Sequence, residues 1–330
     1  MKVFLTGATG FIGSAILRQL IERGDNVHIL VRPESNQKNL RGLDFKIFLG
    51  DLNDIHSVKS GMKNCEALIH VAADYRMWSL NPNEILETNV IGTRNIMTAA
   101  RSANVRRIVY TSSVATLGKN MDGSPANEDT PASLKNMIGT YKKSKYLAEK
   151  EVSRMISENS LPAIIVNPSA PVGPRDIKPT PTGQIIIKAA TGKMPAYIET
   201  GLNIVHVDDV ARGHLQALDK GVVGERYILG GENFTFKEIL ELVADCTGNS
   251  APRIKIPRQI VLPIAHIVQT WAKITKSQEP FVTVDGVRMA KQKMYYDSEK
   301  AKLELGYKYR PAREAVQDAV KWFSKNGYLN

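Results

Sequence analysis

MKVFLTGATGFIGSAILRQL (residues 1–20) sets Gly7, Gly10 and Gly13 three residues apart, where a short apolar run meets an amphipathic one. KVFLT (2–6) is a few apolar residues ended by glycine and reads as a buried strand. From Phe11 to Arg23, Ile12, Ile16 and Leu20 fall on one helical face, and Gly24 stops the helix. Glycine loses the most entropy on ordering, so three at one strand–helix junction imply that something comes very close to the backbone. Gly7 permits a tight turn, Gly10 lets the backbone approach a phosphate, and Gly13 lets helix pack on strand. Helix N-termini carry unpaired N–H groups and partial positive charge, which suits a pyrophosphate. The spacing is G-x-x-G-x-x-G, which only approximates the G-x-G-x-x-G fingerprint, so the strand–turn–helix context carries the reading.

Outward from this unit, NVHILV (26–31), FKIFLGD (45–51), EALIHVAA (66–73), RRIVYTSS (106–113) and PAIIVNP (162–168) read as further strands. Between them lie a short helix capped by Asp54, a long one from Asn83 to Asn104, and another from Tyr141 to Asn159. Continuously apolar strands alternating with helices predict an α/β fold, a Rossmann-type doubly wound parallel sheet covered on both faces. PSAPVGPRDIKPTPTG (168–183) carries five prolines and is expected to be irregular, a linker or a loop closing over a site. Beyond it, helices are expected at Val207–Leu218, Thr235–Thr247 (with a Thr235/Glu238 capping box), Asp297–Leu305 and Ala312–Phe323, with RYIL (226–229) a strand. The division expected is a dinucleotide-binding domain over 1–167, joined by part of 203–231, and a smaller mixed α/β substrate-binding region over 168–330.

Apolar residues make 43% of the 330 and charged residues 23%, an ordinary globular composition for one large domain or two modest ones. The net charge is +11, and the Lys and Arg residues are scattered along the chain, with no recognition-helix signature and no basic run interleaved with aromatics. That argues against nucleic acid and for a solvated basic surface or phosphate-bearing ligands. Cys65 and Cys246 are too few for a disulfide framework or structural zinc, and the six histidines form no ligand pattern, so no metal site is expected. HVDDVARGH (206–214) looks metal-like, but Asp208 or Asp209 reads as a helix cap. A reducing cytoplasm fits, since the first apolar run is too short for a signal peptide. The longest apolar stretch, Gln259 to Thr275, is interrupted by Pro263, His266, Gln269 and Lys273 and is too short and polar to span a bilayer.

Arg32 ends the second strand, where NAD-preferring sites place an acid for the adenosine ribose hydroxyls. A guanidinium there suits a 2′-phosphate, and Lys38 could reach the same group. At the end of the fifth strand stands YTSSVATLG, and the next helix begins YKKSK. Tyr141 and Lys145, four apart, share one helix face. An ammonium roughly 5 Å from the phenol would lower its pKa of about 10 by about two units, into the range of a general acid/base. A hydroxyl at the strand end, Ser113 or Ser112, could hold the substrate oxygen where charge develops.

TGATGFIG (6–13), GDL (50–52), VAA (71–73), TSS (111–113), YKKSK (141–145) and NPS (167–169) together resemble the extended short-chain dehydrogenase/reductases. Within them the chain is similar to the dihydroflavonol-reductase-like branch. VAADYRMW, SSVATLG, the proline stretch, NIVHVDDVARGHLQAL and GERYILGGEN resemble most closely the bacterial group called hopanoid-associated sugar epimerases. The resemblance implies Tyr141 as proton donor/acceptor, Lys145 on the nicotinamide ribose and Ser113 as the catalytic hydroxyl. It implies Gly7, Gly10, Phe11, Ile12 and Gly13 along the pyrophosphate, and Asp51 and Leu52 at the adenine. Val71, Ala72 and Ala73 would lie along the cofactor, with Pro168 and Ser169 beside the carboxamide. Tyr75 and Trp78 are candidates for the substrate pocket, or for packing alone.

These residues predict an NADP(H)-dependent oxidoreductase acting at a carbonyl/alcohol carbon of a small molecule. The alternatives are a nucleotide-sugar or lipid-linked-sugar epimerase/dehydratase that retains NAD, and a dinucleotide-sensing regulator without chemistry. Helices 83–104 and 141–159 could pair in a homodimer. Within RQIVLPIAHIVQTWAKITK (258–276), Ile260, Ile264, Ile267, Trp271 and Ile274 recur at helical spacing beside Arg258, Lys273 and Lys276. Such a helix either meets a membrane surface, as a lipid-linked substrate would require, or buries that face in its own core.

Overall fold

The computed structural model describes residues 1–276 and 280–330. The first half alternates strand and helix: β1 (Lys2–Thr6), α1 (Phe11–Glu22), β2 (Asn26–Val31), β3 (Lys46–Leu49), α2 (Ile55–Met62), β4 (Ala67–His70), α3 (Pro82–Leu86), α4 (Gly92–Ser102), β5 (Arg107–Thr111), α5 (Gly139–Asn159) and β6 (Ala163–Pro168). The second half holds β7 (Ala170–Val172), α6 (Pro181–Ala190), β8 (Ala196–Tyr197), β9 (Gly201–His206), α7 (Val207–Lys220), β10 (Arg226–Leu229), β11 (Glu232–Thr235), α8 (Phe236–Thr247) and β12 (Ile254–Lys255). It closes with α9 (Arg258–Ile274), α10 (Val284–Met289), α11 (Glu299–Leu305) and α12 (Ala312–Lys325).

Seven parallel strands form the main sheet in the order β3-β2-β1-β4-β5-β6-β10. The order reverses at β1, which lies between β2 and β4 with Thr6 level with both Leu30 and His70. In open α/β sheets a ligand sits in the crevice outside such a reversal, at the carboxyl ends of the strands. One apolar core lies under α1 and α7 and takes in Leu305 and Tyr307; the other lies under α2, α4 and α5. Strand β10, expected at 226–229, thus lies in the main sheet beside β6, far from it in sequence. A three-stranded sheet, β11-β9-β7, packs with α6, α8 and α12 around a third core.

The glycine junction is as crowded as the sequence implies. Gly7 has φ +75°, and a Cβ on it would lie 2.7 Å from the backbone nitrogen of Ala72. A Cβ on Gly13 would lie 2.0 Å from the carbonyl oxygen of Gly7. Backbone meets backbone here, so no flexible side chain can give way.

Several expectations are corrected. The proline-rich 168–183 is not wholly irregular. Pro171 lies on β7, an edge strand whose missing N–H costs the sheet nothing, and Pro181 begins α6 behind the Thr180 cap, where a helix needs no N–H. The helix expected over 83–104 carries one π-turn, Glu87–Ile91. That turn buries Asn89, whose side chain donates to the Asp74 carbonyl and Ser144 Oγ, both at 2.8 Å. The cap of α7 is neither aspartate: His206 accepts the Asp208 N–H through Nδ1 at 3.0 Å. Asp209, fully buried, instead binds Arg310 through its backbone N–H and its guanidinium, both at 2.9 Å. Helix α9 leaves five of its large apolar residues exposed. It packs on α10 through Ala265 and leaves the Ile260–Ile274 stripe exposed.

Gly13→Ala is expected to cost about 3 kcal/mol, the upper end for overpacking, because both clashing atoms belong to backbone. Urea unfolding checks this through a lower midpoint at unchanged slope.

Candidate active site

Gly10 is the N-cap of α1 and brings no side chain to it, so the first N–H groups of Phe11, Ile12 and Gly13 face out of the helix end. Asn39 pins the turn, donating from Nδ2 to the carbonyls of Thr9 (3.3 Å) and Arg175 (3.0 Å). Val71, Ala72 and Ala73 leave β4 beside Gly7, and Thr6 Oγ1 accepts the N–H of both Val71 and Ala72 at 3.2 Å. After β3, Asp51 accepts the Asn53 N–H at 2.9 Å and the Leu52 carbonyl accepts from Asn95 at 3.0 Å. Arg32 stands just past β2, more than half exposed, 3.5 Å from the Glu34 carboxylate. Lys38 is engaged elsewhere, donating to Asn326 Oδ1 at 3.0 Å. Pro168 ends β6, and the Ser169 hydroxyl after it is buried with no partner among the described residues. A crevice too tight for any Cβ, an uncapped helix end and an orphaned hydroxyl together fit a dinucleotide.

On the other side of the crevice, β5 delivers Ser113 and α5 delivers Tyr141 and Lys145. The Ser113 hydroxyl caps a short turn by accepting the Ala115 N–H at 3.1 Å. Ser112 is buried with its hydroxyl unpartnered among the described residues. That distinguishes the two serines. The lysine does not act on the phenol as the helical spacing predicts. Lys145 Nζ donates to the Thr111 carbonyl at 2.8 Å and to Tyr110 Oη at 3.3 Å, at the end of β5. Burial therefore governs Tyr141 and raises its pKa above the ordinary phenol value, with the Ser113 hydroxyl opposing. Burial likewise lowers Lys145 to about 8, with the Glu149 carboxylate pulling the other way.

Two supporting groups escaped the sequence reading. Glu149 continues the four-residue spacing of Tyr141 and Lys145, and that repeat is the signal that could have found it. Its carboxylate accepts from Thr116 Oγ1 (2.8 Å), Asn167 Nδ2 (3.0 Å) and Arg226 (3.3 Å), while Asn167 also donates to the Ser113 carbonyl at 3.0 Å. The second group is His70, buried between Thr6 Oγ1 (2.7 Å) and Thr93 Oγ1 (3.2 Å) and lowered to about 3 by desolvation, hence neutral. Of the pocket candidates, Tyr75 donates to the Lys178 carbonyl at 3.1 Å, tying the segment after β4 to the proline-rich one. The Trp78 indole N–H is buried without a partner among the described residues.

The sequence profile of the NAD dependent epimerase/dehydratase family matches residues 3–230. A Synechocystis sp. protein provisionally named dihydroflavonol 4-reductase is 43% identical, over 99% of this chain and 95% of its own. Sterol demethylase protein B of Methylococcus capsulatus is 34% identical over the full length of both. The crystal structure of gox2253 superposes with a TM-score of 0.90 at 51% identity, over 99% of each chain.

Lys142, next to Tyr141 in the chain, is 6% exposed, and the one hydrogen-bond partner of its ammonium among the described residues is Met294 Sδ at 3.8 Å. Desolvation first, then the nearby Lys119, lowers it to about 7. Between that pH and the ordinary lysine range the native state binds fewer protons than the unfolded chain, so stability rises with pH there. The penalty is complete below pH 7. Lys142→Met is expected to raise the melting temperature at pH 7 and to flatten its rise toward alkaline pH, leaving the smaller slope due to Lys145. Melting curves across that range check it.

Proposed function

The chain belongs to the NAD dependent epimerase/dehydratase family, and from that premise we propose that it is an NADP(H)-dependent oxidoreductase acting at a carbonyl/alcohol carbon. The observation that carries this is the burial of Lys145 one helical turn from Tyr141, with its ammonium held on the Thr111 carbonyl at the end of the strand that leads into Ser113. A bound nicotinamide supplies or accepts the hydride. Tyr141, kept protonated at neutral pH by its burial, gives its proton to the carbonyl oxygen in reduction and recovers one in oxidation. Ser113 holds that oxygen by a hydrogen bond that strengthens as charge develops. Lys145, anchored on Thr111 and Tyr110, presents its ammonium to the ribose of the cofactor.

Arg32 supports NADP(H), because its exposed guanidinium stands at the ribose end of the crevice and no acid replaces it at the strand end. Glu34, within ion-pair distance of it, favours the second reading, an epimerase or dehydratase that retains NAD. A regulator without chemistry would have no use for the three catalytic groups. The name of the Methylococcus relative supports a lipophilic substrate rather than a free sugar. Two free cysteines suit a reducing, cytoplasmic setting, and α4 and α5, already linked by Arg94 and Glu151 at 2.8 Å, are the helices proposed to form a homodimer.

Tyr141→Phe is expected to lower turnover by a factor of about 10²–10⁴ with dinucleotide affinity nearly unchanged, since the phenol serves the proton and little else. Steady-state kinetics beside a fluorescence titration of NADPH separate the two; near-normal turnover would refute the mechanism. Arg32→Ala is expected to reduce the preference for NADPH over NADH by about ten- to a hundredfold, the worth of one charge-assisted hydrogen bond. Equal affinity of the unmutated protein for both dinucleotides would favour the NAD-retaining reading.

A further inference from the structure

Helix α9 turns the wrong way for a helix of a closed core. Its buried residues are Ala265 and Ala272, with Val261 and Leu262 half-buried beside them, while five large apolar residues face out: Ile260 is 58% exposed, Ile264 46%, Ile267 71%, Trp271 68% and Ile274 72%. Phe281, shortly after the helix, is 80% exposed. A contiguous apolar face of this kind marks an interaction site, since soluble surfaces rarely gather so many large apolar side chains in one place.

The rim of the stripe says what covers it. Residues 251–293 hold eight Lys or Arg against two Asp or Glu, so this small part of the chain carries more than half of the net charge of +11. At the N-terminal end of α9, Lys255, Arg258, Lys291 and Lys293 line a cleft whose single carboxylate, Glu199, is already taken by Lys255. Along its C-terminal half, Lys273 lines a second cleft with the Arg288–Asp285 pair of α10. A second copy of the chain, meeting this face with its own across a two-fold axis, would set cationic rim near cationic rim. An anionic surface would neutralise the surplus. No described helix is long and apolar enough to cross a membrane, and Pro263 lies inside α9. The geometry is that of a helix lying in the plane of an interface.

We propose that α9 docks this protein on anionic lipid bilayers, its Ile260–Ile274 face seated among the acyl chains and the basic residues around it set against lipid phosphates. Docking is independent of the chemistry at Tyr141, so it can fail while the proposed activity stands, and the reverse.

Flotation with phosphatidylglycerol–phosphatidylcholine vesicles, compared with phosphatidylcholine alone, tests it without any substrate. The full chain is expected to float with the anionic vesicles at low salt and to lose binding as salt rises. Trp271→Glu combined with Ile267→Glu is expected to lower vesicle partition by roughly tenfold or more, because two apolar anchors are lost from the interface. Both positions are exposed, so the variant should melt like the parent and still bind NADPH, which is checked in parallel. A shift of parental tryptophan fluorescence to shorter wavelength on vesicle addition, absent in the variant, supports seating of Trp271. Failure to float at low salt overturns the proposal, as does flotation that the double substitution leaves unchanged. A dimer in sedimentation that the double substitution dissociates, without vesicle binding, assigns the face to a second copy instead.

Discussion

Everything at the crevice depends on how closely two backbone segments approach where β1 ends. The first turn of α1 rests directly on the Gly7 carbonyl, and the segment after β4 rests directly on Gly7. Neither contact tolerates even a methyl group. That closeness aims the open end of α1 into the crevice, and it brings Val71–Ala73 alongside as the opposite wall. A glycine at the helix end costs only a few tenths of a kcal/mol against a capping side chain. In the proposed function that open end is the binding feature, because a capping side chain would occupy the space a phosphate needs.

A line of buried polar groups runs from that junction to Lys145. Thr6 Oγ1 already accepts two backbone N–H groups, so its own proton goes to His70 Nδ1. The imidazole then carries its proton on Nε2 and donates to Thr93 Oγ1. Beside it, the Tyr110 hydroxyl receives Lys145 at 3.3 Å. The ring of Tyr110 stacks near that of His70, with centroids 5.8 Å apart, and lies 4.9 Å under the lysine ammonium. Satisfied networks in a low-dielectric interior fix one arrangement, and a single broken link leaves an unpaired polar group behind. The lysine is therefore placed by groups on β1, β4, α4 and β5, not by its own helix alone.

The parts of this architecture that were legible in the sequence are those in which a local pattern has one physical cause. Continuously apolar strands between amphipathic helices announce a covered parallel sheet, and glycines at a strand–helix junction announce a close approach. The Thr235/Glu238 box and the Asp54 cap are likewise local, and both are present. What stayed hidden depends on partners distant in the chain. Nothing near Asp209 says that Arg310 will take its carboxylate, which is why it reads as a cap. Pro171 looks like a strand breaker until β7 is known to be an edge. Lys145 looks aimed at Tyr141 until the Thr111 carbonyl competes for it, so the pKa argument built on helical spacing alone has the wrong sign for the phenol. The exposure of α9 is the same lesson: periodicity identifies an apolar face but cannot say whether the protein itself supplies the surface that covers it.

Buried charge separates the structural from the functional parts of the molecule. Asp209 is fully buried, yet Arg310 and Arg212 neutralise it and a backbone N–H fills its remaining valence. Glu149, nearly as buried, has Arg226, Asn167 and a threonine. These carboxylates serve as clamps between segments, and their pairing is complete within the fold. Lys142 and Lys145 differ. Neither forms an ion pair among the described residues, both are pushed well below the ordinary lysine range by desolvation, and both flank the tyrosine proposed to move the proton. An unpaired cation in a protein interior works against folding, and its cost is only offset by the well-packed cores on both faces of the sheet.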